Sequence, residues 1–421
     1  MTRKKMSIRL WTTSAICLFL FSGCLKDHCR HTYSLYKPIY KTLTEVRANM
    51  KGNAPKALQQ TGKLYIYGKY IFLNEPNKGI HVIDNTTPAD PKNIAFIDIP
   101  GNVDLAVKGN ALYADSYSDL VTFDISDPRT VVAKNFQNNV FPERSTYYIR
   151  NNGVINPDSI LIVSGWELRD TTVDCETYRY LYENYYSLAS ADKSGSYASP
   201  GMGGQGGSMA RFTLINDYLY AVTYTSLNTF DLTTPQQPSF INKTNLGAGN
   251  IETIFPLKDK LFIGSSTGMF IYDVATPATP AKLGSFSHVR SCDPVIAEDQ
   301  YAYVTLRSGS ACQGFSNQLE ILNISNLSNP SLLKTYPLTN PHGLAKDNNL
   351  LFICDGKDGV KIYDAADVNN IKLLKQIDGI EAYDVIVVNN RALVVAKDGL
   401  YQFNYTDISN IKLLSKISLT P

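Results

Sequence analysis

The feature that most constrains this chain is repetition. One unit keeps returning: an apolar strand, a polar turn, a second apolar strand, a short loop, a third strand ending in Asp or Asn, then a Pro-marked break and a fourth strand. The second strands read Tyr70 to Leu73, Ala111 to Ala114, Tyr218 to Ala221, Leu261 to Gly264, Tyr301 to Val304, Leu351 to Cys354 and Leu393 to Ala396, seven copies. The third strands end at Asp84, Asp124, Asp231, Asp273, Asn323, Asp364 and Asn404, with spacings of 40, 107, 42, 50, 41 and 40 residues. Four short strands on a period near 41 residues describe a propeller blade. A terminal Asp or Asn accepts a backbone N–H two residues on, in an Asx-turn, and Pro88, Pro128, Pro235, Pro277 and Pro330 stop the ladder from continuing. The expected fold class is all-β, a single β-propeller of four-stranded blades, seven by this count and eight left open by the long second spacing.

The outer strands repeat almost word for word, Ile371-Lys-Leu-Leu-Lys375 and Ile411-Lys-Leu-Leu-Ser415. The segments Gly79-Ile-His-Val-Ile-Asp84, Asp119-Leu-Val-Thr-Phe-Asp-Ile-Ser-Asp-Pro128 and Gly359-Val-Lys-Ile-Tyr-Asp364 resemble the LVIVD-repeat family of bacterial, Bacteroidota-type surface lipoproteins. The resemblance spans roughly residues 60 to 419. It implies a propeller at the cell surface and assigns no activity.

Two spacings break the period, and insertions are where a repeat scaffold carries its individual function. The 50-residue step holds a loop around Cys312, and the 107-residue step adds an insertion at about 138–208. Within it, Tyr147 to Ile149 and Ile160 to Val163 read as a strand pair, either an eighth partial blade or an extension of the second. Beyond lie Tyr178, Tyr180, Tyr182, Tyr185 and Tyr186, either a contact surface for glycan or protein or a cover over the neighbouring blade. The run Gly201 to Gly206 matches G-x-G-x-x-G without the strand-and-helix context of dinucleotide binding, and reads as a flexible loop.

The N-terminus carries Arg3, Lys4, Lys5 and Arg9, then an apolar run from Leu10 to Phe21, the layout of an export signal. Phe21-Ser22-Gly23-Cys24 resembles the bacterial lipobox, although Phe21 replaces the usual Leu. The resemblance implies a signal peptide at 1–23 and acylation of Cys24 by a diacylglyceryl group and palmitate-type chains. Each buried methylene contributes about 0.8 kcal/mol, so several chains anchor a domain without a transmembrane helix. Lys26-Asp27 weakly resembles the charged tag some Bacteroidota use for surface export. Residues 24–59 read as a polar tether with one short helix over 38–50, where Ile39, Leu43, Val46 and Met50 share a stripe. The propeller then occupies 60–421.

Without residues 1–23 the chain keeps 36 basic against 38 acidic residues. That near-neutral balance, with no Lys/Arg cluster, argues against a nucleic-acid partner. Export leaves Cys29, Cys175, Cys292, Cys312 and Cys354 in an oxidising compartment, and an odd number cannot all pair. Cys292 and Cys312 flank one predicted strand pair and are the candidates for a disulfide, while Cys354 sits inside an apolar strand as a buried thiol.

No nucleophile elbow, zincin, P-loop or EF-hand pattern occurs, so no catalytic residue and no cofactor is assigned. His81 alternates inside a strand and reads as a structural histidine. Aligning the blades stacks Asp104, Glu252, Asp293, His342 and Asp384 at the start of the inner strands. If they converge at one mouth of the axis they form a ring for a divalent cation or a cationic ligand; the competing reading is that each caps a blade-to-blade turn. The function expected is that of an outer-membrane-anchored lipoprotein at the cell surface, a binding or scaffold module such as an accessory subunit of an outer-membrane complex. The alternative is a glycan-binding or glycan-processing protein, which requires two carboxylates about 5 to 9.5 Å apart at the mouth.

Overall fold

The computed structural model describes residues 30–144, 147–151, 154–174, 205–288, 294–309 and 316–420. Each of the seven sequence units forms an antiparallel sheet of four consecutive strands. From inner to outer strand, blade 1 runs from Leu64–Tyr67 to Lys92–Asp98, blade 2 from Leu105–Lys108 to Val132–Gln137 and blade 3 from Phe212–Ile215 to Ser239–Asn245. Blade 4 runs from Ile251–Leu257 to Ala281–Ser287, blade 5 from Val295–Ala297 to Ser331–Pro337, blade 6 from Leu344–Asp347 to Lys372–Ile377 and blade 7 from Ala382–Val388 to Lys412–Ser418. Inner strands of successive blades touch around the ring.

The repeated residues explain the repeated geometry. All seven third strands end in the expected Asx-turn: the side chains of Asp84, Asp124, Asp231, Asp273, Asn323, Asp364 and Asn404 each accept the N–H two residues on, at 2.6–3.0 Å. In every blade the pairing of third and outer strands also shifts register near this end, a bulge that increases the twist a blade needs. Each second strand buries a large side chain at one equivalent position: Phe72, Tyr113, Tyr220, Phe262, Tyr303, Phe352 and Leu393. These wedge between neighbouring sheets, each contributing roughly 1.5–3 kcal/mol. Tyr113 also donates its hydroxyl to the Pro235 carbonyl of blade 3 at 2.8 Å. Gly79 opens a third strand at φ 147°, where a Cβ would fall 2.0 Å from the Ile97 carbonyl oxygen of the outer strand.

Blades 1 and 7 close the ring by packing, since each takes its four strands from its own segment. Leu64, Ile71 and Leu73 meet Ile386, Leu393 and Val395. Thr61 donates to the Ala396 carbonyl at 2.8 Å, and Thr420 N–H donates to Leu58 at 2.7 Å. Cys354 is a free, fully buried thiol, as its strand implied. His81 is likewise buried, its ring nitrogens at 2.9 Å from Glu75 and 3.1 Å from Asn93.

Two readings of the chain outside the blades are corrected. The hairpin Tyr147–Asn151 and Val154–Asp174 is neither an eighth blade nor an extension of blade 2, because its further partner is Arg30–Thr42, in a three-stranded sheet. Blade 2 already has its own outer strand, Val132–Gln137. Arg30–Thr42 also replaces the expected tether, and only Leu43–Arg47, here α1, is helical. Strand pairing overrides the helical stripe as far as Thr42, where a capping box begins the helix: Thr42 accepts from Glu45 N–H and Glu45 accepts from Thr42 N–H.

The chain divides into two compact units, residues 40–164 with 194–421, which contain the propeller, and residues 1–39 with 165–193. In the second, the described ends of Arg30–Thr42 and Val154–Asp174 are joined by a Thr32–Thr172 hydroxyl bond of 2.7 Å and by Ser34 donating to Asp170 at 2.6 Å. Among the described residues no helix is long and apolar enough to cross a membrane.

In the propeller unit, the segment from α1 onward covers the rims of blades 1 and 2. Val46 and Met50 enter their core, Gly52–Asn53 pairs with Ile97 and Phe96 as an added outermost strand, and Lys51 bridges to Val132. Arg47 of α1 pairs with Asp119 of blade 2.

Candidate functional site

The axis is where seven inner strands converge, so side chains at their first positions decide what it holds. Strand register makes Leu64, Leu105, Phe212, Ile254, Val295, Leu344 and Val385 equivalent. One residue earlier stand Lys63, Asp104, Arg211, Thr253, Pro294, Gly343 and Asp384. Of the five residues aligned from sequence, Asp104 and Asp384 therefore occupy this layer. Glu252 and His342 sit one residue before it, and Asp293 lies outside the described residues. In blade 4 the register shifts between Ile251 and Thr253, which leaves Glu252 as the bulged residue.

The layer is of mixed charge. Lys63 and Asp104, each about 1% exposed, form an ion pair of 2.6 Å between blades 1 and 2. Asp104 also accepts Arg211 N–H at 2.6 Å and Leu105 N–H at 2.8 Å, so both of its oxygens are held. Burial pulls Lys63 down to about 8, against the opposing pull of Asp104. The Arg211 side chain donates to the Ile251 carbonyl at 3.2 Å, and Arg144 pairs with Asp115 nearby. Lys63 and Arg211 were missed in the sequence reading; the signal was there, a cation immediately before an inner strand at the position of Asp104.

Asp384 differs. Its Oδ1 accepts Val385 N–H at 3.0 Å and faces the Ser208 hydroxyl at 3.4 Å, while its buried Oδ2 has no hydrogen-bond partner. Burial pushes this carboxyl up to about 7. His342 is neutral at physiological pH: burial lowers it to about 3, with Nε2 at 3.2 Å from Asn340 Nδ2. Its backbone joins blades 5 and 6, because the Thr305 hydroxyl donates to the His342 carbonyl at 2.6 Å. No group of three His, Cys, Asp or Glu among the described residues is arranged to hold a metal ion.

The end of the insertion partly fills the axis. Gln205–Gly206 adds to the inner strand of blade 1, opposite Ile66 and Tyr65, and Gln205 donates to the Val387 carbonyl of blade 7 at 3.1 Å. Ser208 accepts Leu344 N–H of blade 6 at 2.7 Å, and the Ala210 carbonyl accepts Ile254 N–H of blade 4 at 2.7 Å. Residues 206–210 are buried. Gly207 has no room for a side chain, since a Cβ would lie 1.9 Å from Asp384 Oδ2. The last two residues of the run read as a flexible loop are thus strand. Beside this plug a cleft of about 340 Å³ lies between Phe255, Ile296, Lys346 and Ile386. Its acid, Glu298, accepts from Tyr303 at 2.6 Å and Lys346 at 2.8 Å.

Cys24, Cys292, Cys312 and the tyrosines Tyr178, Tyr180, Tyr182, Tyr185 and Tyr186 lie outside the described residues.

Fold and axis define a seven-bladed β-propeller whose own chain enters and partly fills the central channel. The LVIVD repeat is found in two segments, residues 101–134 and 290–337, which cover the first three strands of blade 2 with its entry turn and the start of its outer strand, and blade 5. No curated protein matches the sequence. Among solved structures, the chain is similar to a protein from Lactobacillus plantarum, at 12% identity and TM-score 0.54, over 86% of this chain and 97% of that one. BamB from Moraxella catarrhalis aligns at 9% identity and TM-score 0.49, over 87% of this chain and 99% of that one. A functionally unknown protein from Desulfotomaculum acetoxidans DSM 771 aligns at 11% and 0.48, over 85% and 95%.

Proposed function

We propose that this chain is an exported lipoprotein, acylated on Cys24 and held at the outer membrane, whose propeller binds another envelope protein as an accessory subunit of an outer-membrane complex. The observation that carries the binding role is the partly filled axis. Residues 206–210 bury themselves among the inner strands, and both oxygens of Asp104 are held by neighbours, so beyond the cleft beside Gln205 the surface on offer is the outside of the ring. The lipobox-like run ending at Cys24 supports the anchor. Cys24 lies six residues before Arg30, and an acyl group there would hold Arg30 within about 20 Å of the bilayer surface.

The test is a mild-detergent pull-down of the C-terminally tagged full chain from its own membranes at two salt concentrations, beside Cys24→Ser. The account expects one stoichiometric envelope protein with the parent chain, and release of the Cys24→Ser chain from the membrane fraction. Recovery of the parent chain alone contradicts the docking role, and soluble glycans would then be titrated against the purified protein.

A further inference from the structure

We propose that the outer edges of blades 5, 6 and 7 are docking strands for an extended, acidic segment of a partner polypeptide, which adds as a fifth strand. This deepens the binding role proposed above and rests on it.

The near-identical Lys-Leu-Leu runs of the outer strands have no explanation in the core. Leu373 and Leu374 of blade 6 are 51% and 46% exposed, Leu413 of blade 7 is 54% exposed, and Leu332 of blade 5 is 47% exposed. Leucines are thus repeated at solvent-facing positions of three adjacent blades, which the fold itself does not bury. Lysines bracket them: Lys334, Lys372 and Lys375 are exposed and have no ion-pair partner among the described residues. The acids in the preceding loops, Asp367 and Asp407, are tied down by backbone N–H groups two residues on. The edge therefore offers unpaired backbone groups, apolar side chains and unneutralised positive charge, and the complement is a strand alternating apolar and acidic residues.

The molecule contains the same arrangement in occupied form. On blade 1, Gly52–Asn53 pairs outside the outer strand as an extra strand, Asp98 N–H donates to the Lys51 carbonyl at 3.0 Å, and Lys56 meets Asp98 at 2.5 Å. A blade of this fold accepts a fifth strand flanked by an ion pair. The unpaired N–H and C=O groups of the edge, which an added strand satisfies and a lipid headgroup does not, select polypeptide over lipid as the occupant.

The probe is a labelled heptapeptide of alternating Val and Glu, titrated by fluorescence anisotropy against the purified full-length protein. Saturable binding is expected, weakened about tenfold by Lys372→Glu with Lys375→Glu and by raised salt. A heptapeptide with Pro at its centre lacks the ladder N–H and is expected not to bind. No binding of the Val/Glu peptide, equal binding of the Pro peptide, or indifference to the double variant overturns the proposal. So does binding to phosphatidylethanolamine–phosphatidylglycerol vesicles that the double variant abolishes, which would make lipid the occupant. The two levels separate in the pull-down. A partner retained by the double variant removes the strand-docking site and leaves the binding role, whereas a peptide that binds a protein recovered alone removes the envelope-partner role and leaves the edge site.

Discussion

The outer strands of blades 1 and 6 come from the same repeat and meet opposite fates. In blade 1, Ala95, Phe96 and Ile97 are at most 2% exposed, because the segment 46–58 lies over them. In blade 6, Lys372, Leu373, Leu374 and Lys375 all face solvent. An edge strand has a row of unpaired N–H and C=O groups whatever its sequence, and a chain either covers that row or guards it with charge. By register Lys92 of blade 1 stands where blade 6 has Lys372 and is exposed like it, whereas Ala95 and Phe96 stand where blade 6 has Lys375 and Gln376 and have become interior. The lysines of blade 6 repel a second copy of the same edge and admit a strand of opposite charge. The difference therefore assigns roles: the rim of blades 1 and 2 belongs to the fold, and that of blades 5 to 7 to a partner.

The comparison breaks first at the covered rim. Deleting residues 30–58 removes Val46, Met50 and Leu58 from the core and opens Phe96 and Ile97 to water, which should cost roughly 5 kcal/mol or more of stability by urea unfolding. An unchanged midpoint would mean that the segment is an ornament and that both rims are bare in energetic terms.

The axis is the second place where the chain covers itself, and there the effect turns on charge. Lys63→Met leaves Asp104 buried without its cation and should cost about 3–5 kcal/mol, while Lys63→Met with Asp104→Leu should recover much of the loss. Asp384→Asn should act in the opposite sense. Burial raises this carboxyl from 3.8 to about 7, so the folded state binds the proton more tightly than the unfolded chain. Its destabilising contribution is absent below about pH 4, grows as pH rises and is complete above about pH 7. Asp384→Asn should therefore stabilise at pH 8 by on the order of 4 kcal/mol and change little at pH 4. A gain of equal size at both pH values would point to packing against Gly207 and Ser208 instead of ionisation.

The smallest effect on stability is expected at the bare rim. Leu373→Thr and Leu413→Thr keep strand propensity and should shift unfolding by no more than about 0.5 kcal/mol. A larger loss would place these leucines in the fold after all.

What the sequence made legible was local and periodic. The ends at Asp84 through Asn404 announced themselves because an Asx-turn needs one side chain and a backbone N–H two residues away, and the blade count followed from seven such ends. What stayed hidden depends on partners distant in the chain. Arg30–Thr42 looks like a polar tether until Val154–Asp174 is there to pair with it, and Gln205–Gly206 looks like a loop until it meets Ile66 and Tyr65. The axial layer was half legible. Asp104 and Asp384 stand out because polar residues recur at the starts of the inner strands, whereas Lys63 and Arg211, the cations that make burial of Asp104 tolerable, carry the opposite charge and break that similarity. The bulge at Glu252 then moved one candidate out of register, by a backbone irregularity that composition does not record. The exposed Lys-Leu-Leu runs were plain as a repeat, but only burial distinguishes a repeated core residue from a repeated surface one.

The most direct test of the division between the two rims is hydrogen exchange by mass spectrometry on the full-length protein, compared between the purified chain and the complex solubilised from its own membranes. The account predicts new protection in the complex at Ser331–Pro337, Lys372–Ile377 and Lys412–Ser418, with Lys92–Asp98 equally slow in both samples. Protection that appears on other surfaces, with these three strands exchanging as they do in the purified chain, would contradict it.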